Sequence, residues 1–294
     1  MEQIKIPKSD YYNHVPYRND LFIKIANIFN PHLPVKNMRA AITFDVEPDL
    51  HTEGYRSVTE GILRILQILN KHKIKATFFT TCDCIEKYPS IFRGIKAKGH
   101  EVALHGYRHE RFDDLSLLEK EKRISLSIKC FKKHLKMHPK GFRAVQHSSD
   151  ADTFRLLEKY NFSYDSSRAP LNLLQFIFFP KRMKRNFLDF FSNPFPHKIN
   201  NIIEIPTSSF LLPFVSLVPR VFPKLIQKLY INLLALFFND LVFYAHSWDF
   251  IKVEESRIDN KFSHERVINN LDFILSYLRS KKFKFITMQD YRLI

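Results

Sequence analysis

Between residues 39 and 286, short apolar runs alternate with stretches in which apolar residues recur every three or four positions. The first pattern predicts strands, the second amphipathic helices, and their alternation predicts βα units around a parallel sheet. Strands are expected at 40–44, 76–80, 101–104, 141–143, 163–164, 202–205, 241–244 and 283–286. Helices are expected at 59–72, with Ile62, Leu63, Ile65, Leu66 and Leu69 on one side, at 91–98 ahead of Gly99, at 116–135 and at 265–281. The fold class is therefore α/β, a distorted (β/α) barrel of about seven parallel strands. Residues 1–38 carry aromatics and prolines without clear periodicity and read as an N-terminal extension, leaving 39–294 as the barrel. Residues 171–239 break the rhythm. They are dense in phenylalanine, leucine and proline, interspersed with Lys181, Arg182, Lys184, Arg185, Arg220, Lys224 and Lys228, and read as a hydrophobic basic insertion around the Ile202 strand.

Composition narrows the choice of function. A chain of 294 residues, 45% hydrophobic and 26% charged, can bury one substantial core, so one catalytic domain is expected. Its six glycines form neither G-x-G-x-x-G nor G-K-[ST], which argues against a nucleotide cradle. The formal charge of +16 implies an anionic partner or surface. Nucleic acid is the weaker choice, because no binding motif or basic-aromatic strand platform accompanies the charge. Cys82, Cys84 and Cys130 are too few for a disulfide framework and read as buried small hydrophobes. The first ten residues lack an apolar core of the secretory type, so a cytoplasmic location is expected. No uninterrupted apolar run of about 18 residues predicts a membrane span.

Polar residues with chemical capacity fall where the predicted strands end, the edge on which such barrels build their sites. The first strand runs into Asp45-Val46-Glu47-Pro48-Asp49, and extended geometry sends Asp45 and Glu47 to one side. After the third strand comes His105-Gly106-Tyr107-Arg108-His109, a spacing that puts both imidazoles on one face if the turn is helical. Arg143 ends the fourth strand and could keep a site carboxylate ionised. His246 ends an aromatic strand beside Trp248, the one tryptophan. Each element has an ordinary explanation by itself: capping acids, chance histidine pairs, a surface ion pair, a core histidine satisfied by backbone. Their order is the informative feature.

D-x-E after the first strand, H-x-x-x-H after the third, an arginine after the fourth and a histidine on a late strand together resemble the polysaccharide deacetylase family, the NodB homology domain of carbohydrate esterase family 4 type, across roughly residues 39–294. That resemblance implies Asp45 as general base, oriented by Arg143, and His246 as general acid. It implies His105 and His109 as metal ligands. Val46 replaces the commoner second aspartate, so the third ligand falls to Glu47, as in D-x-[DE] members. Tyr107, Trp248 and Asp165 are expected on the substrate side, with Asp165 near His246 or the sugar. The implied cofactor is one divalent ion, zinc first, with cobalt, manganese, nickel or iron as alternatives. The implied reaction removes an N-acyl group, acetyl first, from an amino sugar of a polysaccharide or lipid-linked glycan. A polyprenyl-linked substrate and peripheral contact with an anionic membrane would account for the insertion. The alternative keeps the fold without catalysis: an inactive carbohydrate-binding relative in which Val46 marks a lost metal site.

Overall fold

The computed structural model describes residues 38–49, 54–178, 180–253 and 262–291. Chain packing divides the protein into Met1–Lys36 and Asn37–Ile294. The extension expected over 1–38 lies outside the described residues apart from Met38. The sheet and its helices all belong to the second unit.

The sheet is organised around β1 (Arg39–Val46). One edge of β1 pairs with β10 (Asp240–His246) along its whole length. Its other edge pairs first with β11 (Lys284–Ile286) and then with β2 (Thr77–Thr80). Two strands sharing one edge in succession diverge along it, which adds curl to the ordinary twist of a sheet. From β2 the parallel order continues through β3 (Glu101–Leu104), β4 (Gly141–Phe142), β5 (Tyr164–Asp165) and β7 (Ile202–Glu204). The run of seven parallel strands ends with antiparallel β6 (His197–Ile199). Residues after β7 lie along β10: the backbone N–H of Tyr244 donates to Phe214 O at 3.2 Å and that of Ser216 to Tyr244 O at 3.0 Å. The result is the expected distorted, partial barrel, and all eight expected strands are present to within two residues.

Strand alternation sorts the side chains of β1. Ile42, Phe44 and Val46 enter the apolar layer beneath the helices, whereas Ala41 packs inside the barrel with Phe79, Ala103, Tyr164 and Val242. Thr43 and Asp45 share the face of Ala41, so the polar end of β1 is directed inward. The helices covering the sheet are α1 (Ile62–Lys71), α2 (Cys82–Lys87), α3 (Pro89–Ala97), α4 (Leu117–Leu135), α5 (Ala151–Lys159) and α10 (His264–Ser280). On α1 the buried stripe is Ile62, Ile65, Ile68 and Leu69, while Leu63, expected on that side, is exposed. Helix α4 begins with a reciprocal capping box between Ser116 and Glu119, which satisfies two orphan N–H donors. The three cysteines are buried and unbridged.

The insertion contains more structure than a solvated excursion around one strand. It comprises α6 (Leu174–Phe178), α7 (Met183–Phe190), β6, β7, the hairpin β8 (Ser209–Phe210) and β9 (Leu212–Pro213), α8 (Leu217–Val221) and α9 (Lys224–Phe237). Among the described residues, no helix is long and apolar enough to cross a membrane.

Candidate active site

Asp45 lies at the end of β1 and Glu47 just past it, and both side chains are buried. A buried carboxylate is tolerated when charge and hydrogen bonds replace its water. Arg143, fully buried after β4, supplies these to Asp45. Its Nη1 donates to Asp45 Oδ1 at 2.7 Å and to Thr43 Oγ1 at 2.9 Å, Nε donates to Ser166 O at 3.0 Å, and Nη2 to Ser166 Oγ at 3.0 Å. The Phe79 ring covers one face of the guanidinium at 4.1 Å. Burial would raise the Asp45 pKa, but the charges of Arg143, His105 and His246 bring it below the ordinary value. Arg143 thus has no remaining freedom and holds Asp45 ionised in one orientation.

The two expected histidines meet at Glu47. His109 Nε2 is 3.1 Å from Glu47 Oε2, and His105 Nε2 is 3.6 Å from the same oxygen and 3.7 Å from Asp45 Oδ2. The turn between them is not helical. Gly106 takes φ +102°, a region that a side chain would strain, and the chain bends so that both imidazoles still reach one carboxylate. His105 is buried and His109 is partly open. Burial again opposes ionisation of Glu47, and the nearby imidazoles of His105 and His109 with the charge of His246 overcome it, leaving its pKa well below the ordinary value.

The chemistry of these donors suits a cation. His105 Nδ1 lies 2.8 Å from the carbonyl oxygen of Arg143, which can only accept, so Nδ1 carries a proton. In the neutral ring Nε2 then presents a lone pair to two carboxylate oxygens too far away for a hydrogen bond. Three converging lone-pair donors repel one another unless positive charge lies among them, and a fixed tautomer of this kind is what a ligating histidine requires. Among the described residues, no three such side chains are closed around one point as a finished metal cage. Glu47 meets the imidazoles in pairs.

His246, at the end of β10, completes the group. Its Nε2 lies 3.9 Å from Glu47 Oε1 and its Nδ1 3.6 Å from Asp249 Oδ2, an ion-pair distance rather than a hydrogen bond. Burial alone would lower its pKa, but Asp249, Glu47 and Asp45 raise it to about 9. Trp248 stacks on its ring, with centroids 4.3 Å apart. The same indole N–H donates to Glu47 Oε1 at 3.0 Å. Trp248 therefore orients a carboxylate, a role not expected from the sequence.

Two expected residues go elsewhere. The Tyr107 hydroxyl turns outward and donates to Glu86 Oε1 at 3.5 Å, because the bent turn that points His105 and His109 inward sends the residue between them away. Asp165 does not reach His246. Its carboxylate accepts from Ser167 N at 2.9 Å and Ser167 Oγ at 2.7 Å, while Ser167 Oγ in turn accepts from the backbone of Ala144 at 2.8 Å. Its place is beneath the turn that carries Arg143, where burial raises the pKa of both Asp165 and the neighbouring Glu204.

Asp249 and His147 join the site without having been singled out by the sequence. Asp249 is buried, paired with Arg220 at 2.7 Å, and accepts from the His246 backbone N–H at 2.8 Å; its three-residue spacing from His246 is the signal that could have found it. His147 lies in a left-handed turn at φ 54°, with Nε2 3.3 Å from the Tyr244 hydroxyl. Burial and the charge of Arg143 lower its pKa to about 4. Nothing local in the sequence joins it to Tyr244, which is 97 positions away. Asp49, third of the opening acids, is a capping residue: it accepts from Arg56 N at 2.9 Å and Ser57 N at 2.7 Å. Ser57 Oγ donates to Glu47 O at 3.0 Å and so fixes the backbone of the central carboxylate.

Comparison with known proteins bears on the family and the fold. Residues 33–164 match the polysaccharide deacetylase family model. A peptidoglycan deacetylase of Helicobacter pylori is 31% identical over 120 residues, covering 41% of this chain and 41% of that protein. The chain thus spans less than half the length of the first curated relatives it matches, 32% and 41%. The Bc1960 peptidoglycan N-acetylglucosamine deacetylase superposes with a TM-score of 0.55 at 20% identity, over 87% of this chain and 88% of that one. A CE4 family pseudoenzyme from Bacillus anthracis, BA3943, superposes with a TM-score of 0.54 at 12% identity, over 87% of this chain and 65% of that one. These likenesses in structure bear on the fold.

Proposed function

We propose, on the match of residues 33–164 to the polysaccharide deacetylase family model, that this chain is a hydrolase that removes an N-acyl group, acetyl in the first instance, from an amino sugar of a glycan. The relatives' names point to peptidoglycan, and a polyprenyl-linked glycan is the second candidate. The observation that carries the reading is the convergence of Asp45, Glu47, His105, His109 and His246 at the ends of β1, β3 and β10.

Glu47, His105 and His109 would hold one divalent ion, zinc or another first-row metal. Such an ion, when bound, acidifies water and polarises the amide carbonyl. The chain's own residues supply proton movement and orientation. Asp45 Oδ1 is occupied by Arg143, leaving Oδ2 to take the proton of the water that attacks the acyl carbon. His246 gives a proton to the nitrogen as the C–N bond breaks, yielding a free amine and a carboxylic acid. Asp249 and Trp248 keep its ring in place on either side.

The rival reading, an inactive carbohydrate-binding relative, takes Val46 as the mark of a lost metal site. The Val46 side chain lies in the apolar layer under the helices, and Glu47 occupies the inward-facing position instead. That alternation favours the enzyme. The test is acyl release from amino-sugar glycans with and without chelator, in wild type, D45N, H246A and H105A. Asp45→Asn and His246→Ala should each lose roughly 10²- to 10⁴-fold in turnover with metal retained, whereas His105→Ala should also lose metal. Full activity in D45N would remove the assigned base.

A further inference from the structure

Nine of the twelve large hydrophobic side chains that stand exposed among the described residues belong to the insertion, residues 171–239. Ile177, Phe187, Leu188 and Phe191 project from α6, α7 and the residue following, and Leu225 and Leu229 from α9; Ile177 is 69% exposed and Phe191 66%. The elements that carry them are joined to one another. Phe176 meets Phe190 at a tilt, and Phe191 meets both Phe190 and Phe187 edge to face. The Leu173 N–H donates to Leu211 O at 2.9 Å, joining α6 to the hairpin, and the Tyr230 hydroxyl bonds to Leu212 O, joining the hairpin to α9.

Charge identifies what covers this face. The insertion carries eight lysines and arginines against two acids, a net of +6. Asp189 is committed to Arg168 and Arg185 and Glu204 is buried, while Asp113, Asp114 and Asp249 outside the insertion pair with Arg182, Arg185 and Arg220, so the surface charge rests on the lysines. Among the described residues, Lys181, Lys184, Lys198, Lys224 and Lys228 pair with no carboxylate. A protein partner would be met more typically by tyrosine, tryptophan, phenylalanine, methionine and arginine with lysine depleted, whereas here the exposed apolar residues are mostly leucine and isoleucine and the unpaired cations are lysines. Leucine, isoleucine and phenylalanine set among lysines are instead the composition of elements that lie in a lipid interface.

We propose that this face seats on an anionic lipid bilayer without crossing it. The apolar element is fastened to the candidate site, because Arg185 Nη2 on α7 donates to His147 O at 2.6 Å and to Ser149 O at 3.3 Å, and His147 touches Tyr244. Together with the hydrolase reading, on which this step alone rests, docking would present a lipid-linked amino sugar to the site rather than a soluble one. The docking itself is independent of catalysis.

Flotation of the full chain with vesicles reads it without any assay of activity. Phosphatidylcholine vesicles and vesicles also containing phosphatidylglycerol would be compared at low and high salt, with melting temperatures measured for each variant. The wild type should float with the anionic vesicles at low salt and detach as salt rises. The triple variant I177S/F187S/F191S and the pair K181E/K184E should each lose at least about tenfold in partitioning while melting near wild type, since all five side chains project from the surface. K132E, on α4, should bind as wild type does. Absence of flotation at low salt, equal binding to neutral vesicles, or flotation untouched by the triple variant would overturn the proposal. So would a dimer that forms without lipid and that I177S/F187S/F191S dissociates, since a second copy would then cover the face.

Discussion

Trp248 donates to Glu47 while stacking on His246, so a single side chain bears on both the carboxylate proposed as a metal ligand and the histidine proposed as the acid. Trp248→Phe keeps a ring against His246 and removes only the donor. Outer-shell partners of this kind are typically worth about 10- to 100-fold in metal affinity. W248F should therefore weaken metal binding by roughly that factor in a competition titration against a chromophoric chelator, with the melting temperature of the metal-free protein little changed. Unchanged affinity would make Trp248 a residue of the substrate face, as its position in the sequence suggested. Asp45, Glu47, His105, His109, Arg143 and His246 were legible because each ends, or follows within five residues, a strand whose apolar run is visible locally. His147 and the Ser166–Ser167 support of Arg143 were not, because their partners are brought together only by the curled sheet, and Asp249 offered only its three-residue spacing from His246.

At the scale of elements, a π-helical turn, Ser57–Gly61, packs on the 3-10 turn Ser247–Phe250 that follows His246. A Cβ on Gly61 would stand 2.3 Å from the carbonyl oxygen of Ser247, closer than atoms can approach, and both partners are backbone. Gly61→Ala must therefore push the His246–Asp249 segment away from Glu47. The expected outcome is a loss of turnover together with a fall in melting temperature, measured against G94A, where a Cβ would meet nothing. A G61A protein with wild-type activity and stability would show that the two turns are not coupled. The long amphipathic helices and the eight parallel strands could be read in advance because burial on one face imposes a period on the sequence. The short helices of the insertion could not, since a run such as Leu-Gln-Phe-Ile-Phe at 174–178 is apolar without a single period. The same limit applied to Leu63, whose apolar character matched α1 but whose position faces water.

For the whole molecule, the barrel interior contains a titratable group remote from the candidate site. Glu101 is buried at the start of β3, accepting from Thr77 Oγ1 at 2.7 Å, the Tyr164 hydroxyl at 2.8 Å and Gln289 N at 2.9 Å. Burial raises its pKa from 4.5 to about 7, with these hydrogen bonds only partly opposing the shift. A folded-state pKa above the unfolded one means that the native protein holds the proton more tightly. Its contribution to stability is full below pH 4.5, declines as pH rises, and is gone above pH 7. The difference is roughly 3 kcal/mol across that window. Melting temperature should fall between pH 5 and pH 8, and E101Q should remove that part of the fall; parallel pH profiles for wild type and E101Q would refute it. The overall architecture was the most legible level of all, since alternating βα units leave few ways to bury a parallel sheet. The charge of +16 and the basic, apolar character of 171–239 were visible too, but that Ile177, Phe187, Phe191, Leu225 and Leu229 stand exposed there appeared only in the fold.

The central claim is that Glu47, His105 and His109 serve as one metal site beside Asp45. Equilibrium dialysis of the purified chain against zinc, with metal counted per polypeptide, addresses it directly. One tightly held ion is predicted in the wild type and in D45N, with loss in E47Q and in H105A. An ion retained undiminished by E47Q and H105A, or none bound by the wild type, would contradict the account.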